Sequence, residues 1–152
     1  MVRMTGLMTA AIALTLALGA PIAADAKDYL LGSQLPLSGN LARVGQGMSE
    51  GIAVAVDLAN RQYAGKHSFK VTTIDDETSP AKGVAAVEKL IAQGAVALTG
   101  GYGSNIIGPA SEAAQKAGVV YITSGGVTPD LTGRSYKTFF RINNTEGYAK
   151  AM

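Results

Sequence analysis

Ser104 closes a run of three glycines and a tyrosine, Gly100-Gly101-Tyr102-Gly103-Ser104, and Asn105 follows it where an apolar stretch gives way to a helical pattern. Glycines at such a junction let backbone come close to a ligand. The first amides of a helix lack intrahelical partners and sit at the positive end of its dipole, so a hydroxyl beside them suits an anion. The chemistry on offer is capture of a carboxylate or phosphate by charge-assisted hydrogen bonds. A second run of the same character, Thr123-Ser124-Gly125-Gly126, follows the next apolar stretch, with Thr128 just beyond. Its two glycines keep side chains out of the space above a sheet. The candidate ligand-binding residues are therefore Ser104, Asn105, Tyr102, Ser124, Gly125 and Thr128, with Tyr102 packing over the ligand.

Catalytic readings of the same residues are weaker. A nucleophile elbow needs glycine two places before and two places after its serine. Around Ser104 those places hold Tyr102 and Ile106. The one histidine, His67, reads as a solvated turn residue before a strand, and no other general base is visible. A dinucleotide loop requires a tight turn straight from the first strand into a helix. Gly101-x-Gly103 follows the third strand and lacks the third glycine, and Gly45-x-Gly47-x-x-x-Gly51 starts several residues after the first strand ends. There is no Gly-Lys-Ser/Thr phosphate loop. Asp75-Asp76-Glu77 could hold a cation, but three acids before a helix read better as a solvated cluster favouring its positive end. No catalytic residue, cofactor or metal site is assigned.

The elements that must position these loops follow from hydrophobic periodicity. Strands are expected at Tyr29 to Leu37, Ser68 to Ile74, Val96 to Thr99, Val119 to Thr123 and Lys137 to Ile142. Between them, Gln46 to Arg61 presents Ile52, Val56 and Ala59 on one helical face. The next helix has Ser79 as N-cap, Pro80 as first residue, a stripe of Val84, Val87, Leu90 and Ile91, and Gly94 to end it. A third runs from Asn105 to Ala117 and closes at Gly118. Strand-helix alternation at this spacing means a parallel sheet with crossover helices, a three-layer, doubly wound α/β fold. The strands read as apolar enough for both faces to be covered. In such sheets ligands bind beyond the carboxyl ends of the strands, where the two glycine-serine runs lie.

Composition narrows the partners. The 13 Lys and Arg nearly balance the 11 Asp and Glu, which disfavours nucleic acid and anionic membrane surfaces. With no cysteine there is no disulfide, thiolate or lipid-modified N-terminal cysteine. Arg3, the apolar segment from Met4 to Ile22 and Ala24-Asp25-Ala26 form a secretory signal with a small-x-small cleavage site, so the mature chain starts at Lys27 in the periplasm. At the other end, Glu146 to Met152 opens a helix and stops, which suggests a truncated fragment.

The segments LPLSGNLARVGQGMSEGIAVAVDLAN, VTTIDDETSPAKGVAAVEKLI, TGGYGSN, VVYITSGGVTPDLT and FFRINNTEG together resemble type I periplasmic binding proteins, above all the branched-chain amino-acid (Leu/Ile/Val) receptors of ABC transporters. The resemblance covers nearly all of the chain after Lys27, in order and with matching spacing. It implies two α/β lobes that close by a hinge on an amino acid, with Ser104 binding the carboxylate and the Gly125 backbone helping to hold the α-amino-acid group. Val127 stands where leucine-binding relatives carry a threonine, and Val44 where an aromatic often lines the pocket; both departures bear on which ligand is taken. By this resemblance residues 1–26 are a signal peptide, 27–142 the first pass of the N-terminal lobe with its hinge strand, and 143–152 the start of a second-lobe helix. The acidic residue that meets the ligand's ammonium belongs to the missing lobe. The implied protein is a non-catalytic solute-binding component for amino acids or related small amide or carboxylate ligands, working with an ABC transporter permease. Rival readings are a nucleotide-dependent α/β enzyme and an inactive remnant or sensor fragment.

Overall fold

The computed structural model describes residues 26–145 and 147. The proposed signal peptide and terminal helix therefore lie outside the described residues, apart from Ala26 and Gly147. Among the described residues nine elements follow one another: β1 (Lys27–Leu35), α1 (Ala42–Gln62), β2 (His67–Asp75), α2 (Pro80–Ala92), β3 (Ala97–Gly100), α3 (Ser104–Ala117), β4 (Val120–Thr123), α4 (Asp130–Gly133) and β5 (Phe139–Arg141). The strands form one sheet in the order β2-β1-β3-β4-β5, and every pairing is parallel. The order reverses at β1. Right-handed crossovers therefore put α1 on one face and α2, α3 and α4 on the other.

Local chemistry sets most boundaries. Ser79 is the N-cap of α2 with Pro80 at its first position, as expected, although the Ser79 side chain makes no capping hydrogen bond. Its carbonyl accepts from the Gly83 amide at 2.9 Å instead. Gly118 ends α3 in the left-handed conformation, φ +70°, where glycine carries no Cβ penalty. Two differences stand out. The α1 helix begins at Ala42, ahead of the expected start at Gln46, because Gly45 lets it approach the end of β1: a Cβ on Gly45 would sit 2.0 Å from the Pro36 carbonyl oxygen. The loop after β4 contains the short α4, which periodicity cannot reveal in four residues.

The core lies between the sheet and α2/α3. Val87, Leu90, Leu98, Ile107, Ala110 and Tyr121 are all buried there. The opposite face departs from the expectation that both faces are covered. Among the described residues only α1 lies on it, against β1 and β2. Alternate residues of the strands beyond β1 point to this side, and Ile122 and Phe140 are 39% and 50% exposed. The flank of α1 is exposed too, along Gly47, Gly51, Val54, Ala55 and Leu58. A Cβ at Gly51 would meet nothing within 4 Å. Gly51→Ala is therefore expected to stabilise the domain by about 0.5–1 kcal/mol by relieving glycine's entropy cost in a helix, measured as a raised urea midpoint.

His67 is a further correction. It is the first residue of β2, half-buried, with its ring 5.6 Å from Tyr29 and 6.2 Å from Tyr63. Its packing partners are aromatic because Tyr29 and Phe69 stack at 5.5 Å on the same end of the sheet. This is the amino end of β2, opposite the rim that carries Ser104, so the two cannot form a nucleophile-base pair.

Candidate functional site

The carboxyl ends of β3 and β4 lie side by side, with Gly100 in register with Thr123. The loops that leave them touch backbone to backbone. A Cβ on Gly125 would sit 2.3 Å from the Gly101 carbonyl oxygen and 2.5 Å from the Tyr102 Cα. Thr123, fully buried, ties the loops together: its hydroxyl donates to the Gly100 carbonyl at 2.7 Å and accepts from the Gly125 amide at 3.0 Å. The glycine at 125 thus serves loop-to-loop packing, a stricter demand than leaving open space above the sheet.

Around this junction is a pocket of about 380 Å³ lined by Tyr102, Ser104, Ser124 and Gly125, together with Gly103, Gly126, Val127 and Asn143. That lies within the usual range for small-molecule sites, roughly 300–1,000 Å³. Four of the six expected residues are brought together. Asn105 is exposed and outside the lining, and Thr128 acts through its backbone.

Ser104 is the chemical centre of the arrangement. Its Oγ accepts the amides of Val127 at 3.1 Å and Thr128 at 3.4 Å. With its lone pairs engaged, the hydroxyl proton is free to donate, and the two amides polarise it in that direction. The first turn of α3 adds donors. The amides of Ile106 and Ile107 both reach the Gly103 carbonyl at 2.9 Å, while those of Ser104 and Asn105 find no acceptor among the described residues. Donors therefore converge on the rim where an acid group would sit.

Two sets of buried or half-buried side chains hold the loops from below. The Gln34 carbonyl accepts the Gly101 amide at 2.7 Å. The Gln34 side chain accepts the Tyr121 hydroxyl at 2.6 Å and donates to Asp76. Asp76 also accepts the Thr78 amide at 2.8 Å. All three side chains are excluded from water. Burial pushes the Asp76 carboxyl up from its ordinary value, against the opposing hydrogen bonds from Thr78 and Gln34. Burial, then repulsion from Asp76, pushes the Tyr121 hydroxyl well above the usual phenol range, so it stays a donor. From the other side, Arg141 donates to the carbonyls of Gly126 at 3.2 Å and Thr128 at 2.9 Å and to the Thr132 hydroxyl at 3.0 Å.

The acidic run at the end of β2 is spent on structure. Asp75 accepts the amides of Leu37 and Glu77, each at 2.8 Å, and Ser38 at 3.2 Å. Burial raises its pKa, but hydrogen bonds from Ser38, Glu77 and Leu37 outweigh this and leave it lowered. Glu77 pairs with Lys82, and no acidic residue occupies the first turn of α2. The acids therefore clamp the β1 and β2 loops, which corrects the expectation of a solvated cluster serving the positive end of the helix.

The sequence profile of the periplasmic binding protein family matches residues 30–152. The chain belongs to this family. Among curated relatives of this periplasmic binding protein, the Leu/Ile/Val-binding protein homolog 8 of Brucella abortus (strain 2308) is 33% identical over 125 residues, which are 81% of this chain and 31% of the relative. The chain thus spans about a third of the length of that relative. A branched-chain amino acid transporter substrate-binding protein, LivJ from Streptococcus pneumoniae, solved with isoleucine, shares the fold at a TM-score of 0.73 and 24% identity. That alignment covers 78% of this chain and 34% of the other. An ABC transporter substrate-binding protein from Desulfitobacterium hafniense, solved with leucine, matches at a TM-score of 0.67 and 27% identity over 78% of this chain and 35% of that one. The family is one of solute-binding proteins, and the nucleotide-dependent enzyme is not favoured by any of these relatives.

The sequence reading missed Gly103, Gly126 and Asn143 as pocket-lining residues, while Val127, which the resemblance marked as bearing on the ligand, is in the lining. Asn143 had a usable signal. In a parallel sheet, the residues just after β5 must emerge on the same rim as those just after β4.

Proposed function

We propose that this chain supplies the first ligand-holding lobe of an exported solute-binding protein that delivers an amino acid, or a related small amide or carboxylate, to an ABC transporter permease. The observation that carries this reading is the Ser104 hydroxyl. Its oxygen is occupied by two backbone amides, so its proton is aimed outward beside free helix-start amides. A ligand carboxylate takes that proton and the amides of Ser104 and Asn105. Tyr102 covers the ligand, Ser124 and Gly125 form the facing wall, and Thr128 contributes the amide that orients Ser104. Each step is binding and none is catalysis. Residues 1–26 direct export and are removed, residues 27–142 form the lobe and hinge strand, and residues 143–152 lead into a second lobe. The names of the relatives support a branched-chain ligand; Val127 is part of the pocket wall, whereas Val44 lies outside the lining.

One lobe gives only part of the contacts, so affinity on the order of millimolar is expected for this chain alone. The test is an NMR titration of the exported chain with leucine and isoleucine, with ATP as control. Saturable shifts at Ser104, Asn105 and Gly125 with the amino acids, and none with ATP, are expected. Shifts with ATP alone would overturn the reading in favour of a nucleotide-binding enzyme; sub-micromolar amino-acid affinity would overturn the one-lobe assignment.

A further inference from the structure

The pocket poses a problem of charge. The reading above places a carboxylate in it, yet no charged side chain belongs to its lining. Taking an anion out of water against neutral donors alone is costly. Compensation comes from behind the lining, at Arg141.

Arg141 is the last residue of β5 and is in register with Thr123. The two side chains therefore leave the same face of the sheet. The half-buried Arg141 reaches the turn that follows β4. Its Nη1 donates to the carbonyls of Gly126 at 3.2 Å and Thr128 at 2.9 Å, and its Nη2 to the Thr132 hydroxyl at 3.0 Å. The ion pairs found among the described residues do not include it.

The Gly126 carbonyl and the Val127 amide belong to one peptide unit, and that unit is held at both ends. Its carbonyl accepts from Arg141 and, also at 3.2 Å, from Asn143 Nδ2. Its amide donates to Ser104 Oγ at 3.1 Å. Asn143 already satisfies the carbonyl, so no cation is needed to avoid an unpaired acceptor. What Arg141 adds is a permanent positive charge at the head of a hydrogen-bonded series that runs from guanidinium to peptide to serine hydroxyl. In such a series each member polarises the next.

We propose that Arg141 is a positioning residue that acts on Ser104 through the Gly126–Val127 peptide, strengthening its hydroxyl as a donor and making the pocket select a negatively charged head group over a neutral one of the same shape. The proposal rests on the ligand-binding reading above. Arg141 itself stays outside the lining, and its charge reaches the ligand only through the peptide and the serine.

The probes are leucine and leucinamide, which share an ammonium and an isobutyl group but differ in a carboxylate against a neutral carboxamide. NMR titrations of this chain and of Arg141→Lys and Arg141→Met give the ratio of the two affinities. The Val127 amide proton shift without ligand reports the polarisation directly. Wild type is expected to prefer leucine. Arg141→Met should cut leucine affinity about tenfold, the scale of a unit charge acting across one peptide in a half-buried site, and leave leucinamide within a factor of about two. It should also move the Val127 amide proton upfield. Arg141→Lys keeps the charge and should recover most of the preference and of the shift; it also serves if the methionine variant does not fold. Equal losses of both ligands in Arg141→Met, without recovery in Arg141→Lys, would mean that the residue only props the turn, and would overturn this proposal while the binding reading stands. Wild type that shifts with neither probe would overturn both.

Discussion

Gly125→Ala should destabilise the domain by about 1–3 kcal/mol, the usual cost of forcing a methyl into a filled space, and should abolish the ligand-induced shifts at Ser104. The obstacle is backbone on both sides, namely the Gly101 carbonyl at 2.3 Å and the Tyr102 Cα and carbonyl at 2.5 and 2.9 Å. No side chain can rotate away to make room. The two loops must separate, and the separation breaks the Thr123 bonds to Gly100 and Gly125 together with the Val127 and Thr128 bonds to Ser104. Gly103→Ala is the matched control. The nearest atom to its new Cβ is Asn105 Oδ1 at 2.8 Å, the end of a flexible side chain, so the loss should be smaller. Urea unfolding of both variants measures the difference. A Gly125→Ala midpoint equal to wild type would show that the loops are not packed as tightly as the geometry demands.

The second large effect is at Gln34. Gln34→Leu keeps the volume but removes a donor from Asp76 and an acceptor from Tyr121, both fully buried. An unsatisfied buried polar group costs about 1–3 kcal/mol, so two should cost about 2–6 kcal/mol. The loss should depend on pH. The Asp76 carboxyl titrates above its unfolded value of 3.8 in the native domain. The folded state then holds more protons than the unfolded state from 3.8 up to that raised value, and this group's contribution falls as pH rises through the window. Removing the Gln34 donor raises the folded value further. The penalty of Gln34→Leu should therefore be greatest near neutral pH and shrink as pH falls and Asp76 takes up its proton. Asp75 runs the other way: its pKa is lowered, so its stabilisation is present above 3.8 and is lost as pH falls. Urea melts at several pH values, with Asp76→Asn as the background, separate the two. A penalty that does not change with pH would mean Asp76 is not charged beside Gln34.

How much of this was legible in the chain depended on whether a feature is local. The Ser79-Pro80 helix start, the Gly118 stop and the apolar strands are written in neighbouring residues, and they appear within a few positions of where they were expected. The side-by-side placement of the Ser104 and Gly125 loops followed from strand alternation and the rule that ligands sit at carboxyl ends. The Gln34, Asp76 and Tyr121 cluster was not legible. Its members are 42 and 87 residues apart, each looks like an ordinary strand or loop residue, and only the register of three strands brings them together. The reason for Gly125 was also hidden, because a glycine in a loop does not announce which backbone passes beside it. The start of α1 was missed because Gly45 and Gly47 lower helix propensity, while close approach to Pro36 outweighs it.

The half-covered sheet has a thermodynamic signature. Apolar hydration on unfolding is what makes the heat capacity rise. Ile122, Phe140, Val54 and Leu58 already meet water in the native chain, so they add little to that rise. Calorimetry should give fewer calories per kelvin per residue than a fully clad domain of this length, and a shallower stability curve. Any polypeptide that comes to lie across β3, β4 and β5 would restore the missing curvature.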